Sequence, residues 1–68
     1  MKRERFLSSL RHWCRTNGRH FRIDKTGGKG SHVKVHVDGA QTVVKDGEIS
    51  PVLKAVMLKQ LGIPKDAF

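Results

Sequence analysis

The stretch from His32 to Lys45, His-Val-Lys-Val-His-Val-Asp-Gly-Ala-Gln-Thr-Val-Val-Lys, constrains the fold of this chain more than any other part of it. Val33, Val35 and Val37 alternate with His32, Lys34 and His36, the period-two pattern of a strand with one apolar face. Asp38-Gly39 follows at once. It is a strong short-range hairpin signal, because both central residues of a type I′ turn need positive φ. A third strand, about Ala40 to Lys45, returns from that turn. A two-residue connection sets the register, so Val37 is expected opposite Ala40, Val35 opposite Thr42, Val33 opposite Val44 and His32 opposite Lys45. Each pair falls on a consistent face.

The flanking segments supply the other elements. Over residues 3–16, Phe6, Leu7, Leu10, Trp13 and Cys14 recur at helical spacing, with Arg5, Ser8, His12 and Arg15 opposite. Asn17-Gly18 stops that helix. Phe21 and Ile23 then alternate with His20, Arg22 and Asp24 as a first strand, and Thr26-Gly27-Gly28-Lys29-Gly30 breaks it with a basic loop. Asp46-Gly47-Glu48-Ile49 reads as a second loop. Ser50-Pro51 is an N-cap followed by proline at the first helical position. Val52, Leu53, Val56, Met57 and Leu61 mark the second helix, ended by Gly62 with Pro64 beyond it. Leu58 lies outside that stripe and is expected to be partly exposed.

The order α-β-β-β-α predicts a single α+β domain over residues 1–68. A three-stranded antiparallel sheet carries both helices on one face and leaves the other face open and polar. If the glycine loop spans five residues, Lys25 faces Ser31, Ile23 faces Val33 and Asp24 faces His32.

Size and charge narrow the function. Sixty-eight residues with 37% hydrophobic letters build only a thin core, which excludes a large enzyme with a deep multi-part pocket. No apolar run approaches the length of a membrane span, and the basic start has no apolar region behind it to make a secretory signal. The single cysteine, Cys14, forms neither an internal disulfide nor a CxxC site, and it sits on the apolar face of the first helix. A reducing cytoplasm is the expected compartment. The net charge of +8 is unevenly placed. Residues 1–36 carry ten Lys/Arg against Glu4 and Asp24, whereas residues 37–68 balance four lysines with four acids. Such asymmetry is the footprint of a polyanion binder, above all of nucleic acid.

The open face would present Asp24, Arg22 and His20 beside His32, Lys34 and His36, beside Lys45, Val43 and Gln41. His32 stands out. It begins a strand directly after a glycine loop bearing Lys29, where backbone N–H groups and a cation can meet a phosphate. An imidazole also titrates near neutrality, which suits proton transfer. The candidate set is therefore His32 as the catalytic group, with Lys25, Lys29, Gly30, Ser31, Lys34, His36 and Lys45 as RNA- or phosphate-binding residues. An exposed strand histidine is equally compatible with no chemical role. Asp24 is compatible either with orienting His32 or with ordinary charge pairing to lysines. The loop lacks P-loop spacing and precedes a strand, which argues against nucleotide cradling. His32 and His36 lie four strand residues apart, about 13 Å, too far to share one metal ion or clamp one phosphodiester. No metal or other cofactor is expected.

The stretch Gly-Lys-Gly-Ser-His-Val-Lys-Val from Gly28 to Val35 resembles the glycine-serine-histidine motif and following strand of HicA toxins, the messenger-RNA-cleaving halves of bacterial type II toxin–antitoxin pairs. The likeness covers nearly the whole chain. It continues through Thr42-Val43-Val44, Gly47-Glu48-Ile49, Leu53, Leu58-Lys59-Gln60-Leu61-Gly62-Ile63 and Asp66-Ala67-Phe68. What it implies is a double-stranded-RNA-binding-domain-like fold, an endoribonuclease with His32 as catalytic histidine, and neutralisation by a HicB-type antitoxin. Many members have Val-Pro-x-His leading out of the third strand. Here Val43-Val44-Lys45-Asp46 stands instead, so no second histidine is present to assist.

The expected activity is thus metal-independent cleavage of messenger RNA, with His32 as general base or general acid and Lys29 and Lys34 holding the phosphate. The alternatives are a non-catalytic RNA-binding module of the same fold, and an interaction protein whose basic face docks an acidic partner.

Overall fold

The computed structural model describes residues 1–24 and 32–68. The elements are α1 (Arg3–Thr16), β1 (Phe21–Asp24), β2 (His32–Val37), β3 (Ala40–Lys45) and α2 (Pro51–Gln60). Sheet order is β1-β2-β3, antiparallel throughout, so the chain has the expected α+β architecture in the order α-β-β-β-α.

The β2–β3 hairpin forms as its turn chemistry dictates. Asp38 and Gly39 take φ values of 51° and 92°, and the four expected pairs hold: Val37 with Ala40, Val35 with Thr42, Val33 with Val44 and His32 with Lys45. Val33, Val35, Val37, Thr42 and Val44 are buried on one face. There they meet Phe6, Leu10 and Cys14 of α1 and Met57, Leu58 and Leu61 at α2 in one continuous core.

The β1–β2 register differs from expectation by two residues. Ile23 pairs with Val35 and Asp24 with Lys34, so Asp24 does not face His32. A slip of two keeps every side chain on its original face, and apolar alternation therefore cannot choose between the two registers. Asp38 chooses. Its backbone N–H donates to the His20 carbonyl (3.1 Å), and its Oδ1 accepts from the His20 N–H (2.9 Å). These bonds extend the ladder one step beyond the Phe21–Val37 pair.

The helix ends follow local rules. Ser50 Oγ accepts from the Leu53 N–H at 3.1 Å, with Pro51 opening α2. At the other end Gly62 has φ 72°, its N–H donates to the Lys59 carbonyl, and the Ile63 N–H donates to the Leu58 carbonyl at 2.9 Å. This is the Schellman arrangement, with buried Ile63 packed back toward Leu58.

The face that α2 buries is only partly the expected one: Met57 and Leu61 are in the core as expected. Leu58 is fully buried, while Val52, Leu53 and Val56 are 75%, 43% and 47% exposed. Apolar residues surround most of the helix, so periodicity alone did not define its inner side. The segment after α2 defines it. Ile63 is buried and Ala67 and Phe68 pack against the core, with Phe68 edge-on to Phe6 at 5.8 Å between centroids. Lys54 lies 4.7 Å over the Phe68 ring and donates to the Phe68 backbone oxygen.

The loop before α2 is also tied down. Lys2 and Glu48 form an isolated antiparallel bridge, the Ile49 N–H donates to the Met1 carbonyl at 2.7 Å, and the Met1 ammonium donates to Glu48 Oε2 at 2.7 Å. That ammonium holds the Glu48 carboxyl below its usual range, by hydrogen bond first and by charge second.

Candidate nucleic-acid interface

The sheet face away from the helices carries residues arranged in rungs, each rung a set of directly opposed positions across the strands. His32 and Lys45 form one rung. Asp24, Lys34 and Val43 form the next, and Arg22, His36 and Gln41 the third. Beyond them lies His20, beside Asp38. All of these except Asp24 and His36, which are half-buried, are exposed. Successive rungs are separated by about 7 Å along the strands, and neighbouring strands by about 4.8 Å.

His32 occupies the first position of β2 and is exposed, with Lys45 directly opposite. Side chains in such a pair start about 5 Å apart. Lys45 is therefore the described cation placed closest to His32 by register. Lys34 lies one rung further along. Asp24 stands opposite Lys34 in the register rather than opposite His32. His36 stands two rungs from His32, about 13 Å away. Lys25, Lys29, Gly30 and Ser31 lie outside the described residues.

Arg22 and Gln41 were not among the expected binding residues, yet the observed register sets both beside His36. The Gln41–His36 pair follows from the hairpin register already expected; the signal that could have found Arg22 is Asp38, whose side chain defines the β1–β2 register and hence which β1 residue meets which β2 residue. Asp38 Oδ2 also accepts from Arg19 Nε. The His20 N–H first, and the Arg19 side chain second, hold the Asp38 carboxyl below its ordinary range. Arg19 in turn lies 5.8 Å over the Trp13 ring, linking α1 to this corner of the sheet.

A concavity at that corner is lined by His20, Phe21, Arg22, His36, Asp38 and Gly39. Within it His36 Nε2 is buried and makes no hydrogen bond to any described group. A second, more apolar groove runs between β3 and α2, with Val43, Leu53 and Val56 on its walls. Thr42 crosses its floor by donating to Gln60 Oε1 at 2.5 Å.

Among the described residues, no three His, Cys, Asp or Glu side chains are grouped to hold a metal ion. No described helix is long and apolar enough to cross a membrane. Cys14 is buried, and desolvation raises its thiol pKa. No family model, curated protein or solved structure matches this chain.

Proposed function

We propose that this protein is a metal-independent endoribonuclease of the HicA kind, the toxin of a type II pair, which binds messenger RNA along the open sheet face. The observation that carries the reading is the placement of His32: an exposed imidazole at one end of a cationic face, directly opposite Lys45. The likeness of Gly28 to Val35 to the HicA motif supports the same residue. So does a sheet that leaves its polar face uncovered by the helices, as the double-stranded-RNA-binding-domain-like arrangement requires.

In this reaction the ribose 2′-oxygen attacks the adjacent phosphorus. The O2′–P bond forms and the P–O5′ bond breaks, leaving a 2′,3′-cyclic phosphate and a 5′-hydroxyl. His32 takes the 2′-hydroxyl proton as general base while water protonates the departing O5′, or it protonates O5′ as general acid while water accepts the 2′-hydroxyl proton. Lys45, with Lys34 behind it, stabilises the charge that gathers on the non-bridging oxygens.

The proposed antitoxin is a HicB-type protein that covers His32. An acidic partner suits the +8 charge, and the exposed Val43, Val52 and Val56 supply apolar area beside the same sheet.

The deciding experiment incubates purified protein and a His32→Ala variant with single-stranded messenger RNA in excess EDTA. Cutting by the wild type alone is the expected result. RNA binding by both without cutting by either replaces this reading with that of a non-catalytic RNA-binding module. Retention of an acidic protein but not of RNA at physiological salt leaves a docking protein.

A further inference from the structure

The geometry points to a second RNA-backbone phosphate subsite at the opposite end of the open face from His32, formed by Arg22, His36 and Gln41 with His20 at its rim. The inference rests on RNA being the ligand of this face and extends that reading to a new position on it.

Four observations converge there. First, the register sets Arg22 and Gln41 on either side of His36, so a guanidinium, an imidazole and a side-chain amide share one rung. Together they offer donors to one phosphodiester, and the guanidinium fork matches phosphate oxygens in particular. Second, His36 and Arg22 line a concavity rather than a flat surface. Third, His36 Nε2 is a buried polar atom without a hydrogen-bond partner. Buried polar atoms are almost always bonded, and those that are not mark a site completed by water, an ion or a ligand. The nitrogen is covered, so a phosphate that used it would have to displace side chains over it. Fourth, Asp38, the acid among the described residues lining the concavity, is already engaged: its Oδ1 accepts from the His20 N–H and its Oδ2 pairs with Arg19.

The spacing gives the subsite a purpose. His36 is about 13 Å from His32 along β2, too far to serve the phosphodiester being cut. A strand held at both ends is drawn along the sheet over Lys34, which places its backbone in register with His32. The subsite would therefore favour longer RNA over short fragments without taking part in the bond change.

The test measures binding of a non-cleavable 2′-O-methyl RNA octamer at several salt concentrations, for the wild type, Arg22→Ala, His36→Gln and Lys59→Ala. Lys59 is exposed on α2, on the covered side of the sheet, and serves as a control for losing one positive charge. Arg22→Ala is expected to weaken binding about tenfold and to reduce the slope of log K against log salt by about 0.7, the value for one single-strand phosphate contact. His36→Gln is expected to weaken binding with little change in slope, and Lys59→Ala to change neither. Wild-type binding with Arg22→Ala unchanged, or with Lys59→Ala lowering the slope equally, overturns the subsite and leaves RNA binding intact. Failure of the wild type to bind the octamer overturns both.

Discussion

Asp38 and His20 hold each other by two hydrogen bonds, the Asp38 N–H to the His20 carbonyl at 3.1 Å and the His20 N–H to Asp38 Oδ1 at 2.9 Å. The residue that turns the β2–β3 hairpin therefore also decides how β1 docks. Arg19 closes the arrangement from the other side through its ion pair with Asp38. Through this one aspartate, the turn at one edge of the sheet determines that Arg22 stands beside His36 and Asp24 beside Lys34.

That clamp gives the stability a defined pH dependence. Folding lowers the Asp38 pKa, so its contribution is fully present above the unfolded carboxyl value, near about pH 4. It is lost as pH falls through the lower folded value. Asp38→Asn keeps a residue that tolerates positive φ but removes the carboxylate. It should melt below the wild type at pH 7, with the gap closing as pH falls below the unfolded carboxyl value. A gap that stays constant across thermal melts over this range would show that the charge is not the agent.

The buried side of α2 predicts unequal costs for similar substitutions. Leu58→Ala should lose about 2–5 kcal/mol, the range for emptying a fully buried leucine site. Val52→Ser, at 75% exposure, should change stability by no more than about 0.5 kcal/mol. Urea unfolding distinguishes this from a helix that buries Val52, Leu53 and Val56, for which Leu58→Ala would be the milder change.

Attack by a 2′-oxygen demands a ribose. An RNA with a single 2′-deoxy substitution 5′ to the cut site should bind normally and remain intact there, while the same protein cuts the all-ribose strand. Cleavage at the deoxy position, read on a sequencing gel, would rule out the His32 mechanism and point to direct hydrolysis by water.

Cys14 should behave as a core side chain rather than a redox handle. Its burial and raised pKa keep the reactive thiolate scarce in the folded state. A thiol-specific reagent should label it at the rate of unfolding, accelerating as urea approaches the midpoint. Rapid stoichiometric labelling of native protein would contradict this placement.

The parts of this fold that were legible in the sequence are those decided by local chemistry. Alternating valines, a two-residue Asp-Gly turn, a serine-proline helix start and a glycine after each helix act over a few residues, and each appears where its residues put it. The misread features depend on partners distant in sequence. The β1–β2 register turns on a side-chain bond between residues 20 and 38, and the inner side of α2 on Ile63 and Phe68 packing back onto helices whose own apolar pattern was ambiguous. The candidate site divides the same way. His32 opposite Lys45 was readable, because both sit on the hairpin whose turn sets their pairing. Gln41 beside His36 was readable for the same reason, whereas Arg22 beside His36 was not, because that meeting waits on the distant clamp.

In β2, the outward residues alternate with valines committed to the interior. His32 and Lys34 are exposed and His36 is half-buried on the outward face, whereas Val33, Val35 and Val37 are buried beneath it. Mutational change at the two sets is therefore nearly independent. The outward residues can be exchanged one at a time, altering what is bound or whether it is cut, while the scaffold keeps its stability. Under the proposed function, a lineage carrying this hairpin could lose catalysis at position 32 and persist as a binder, or regain it by a single codon change, without refolding anything.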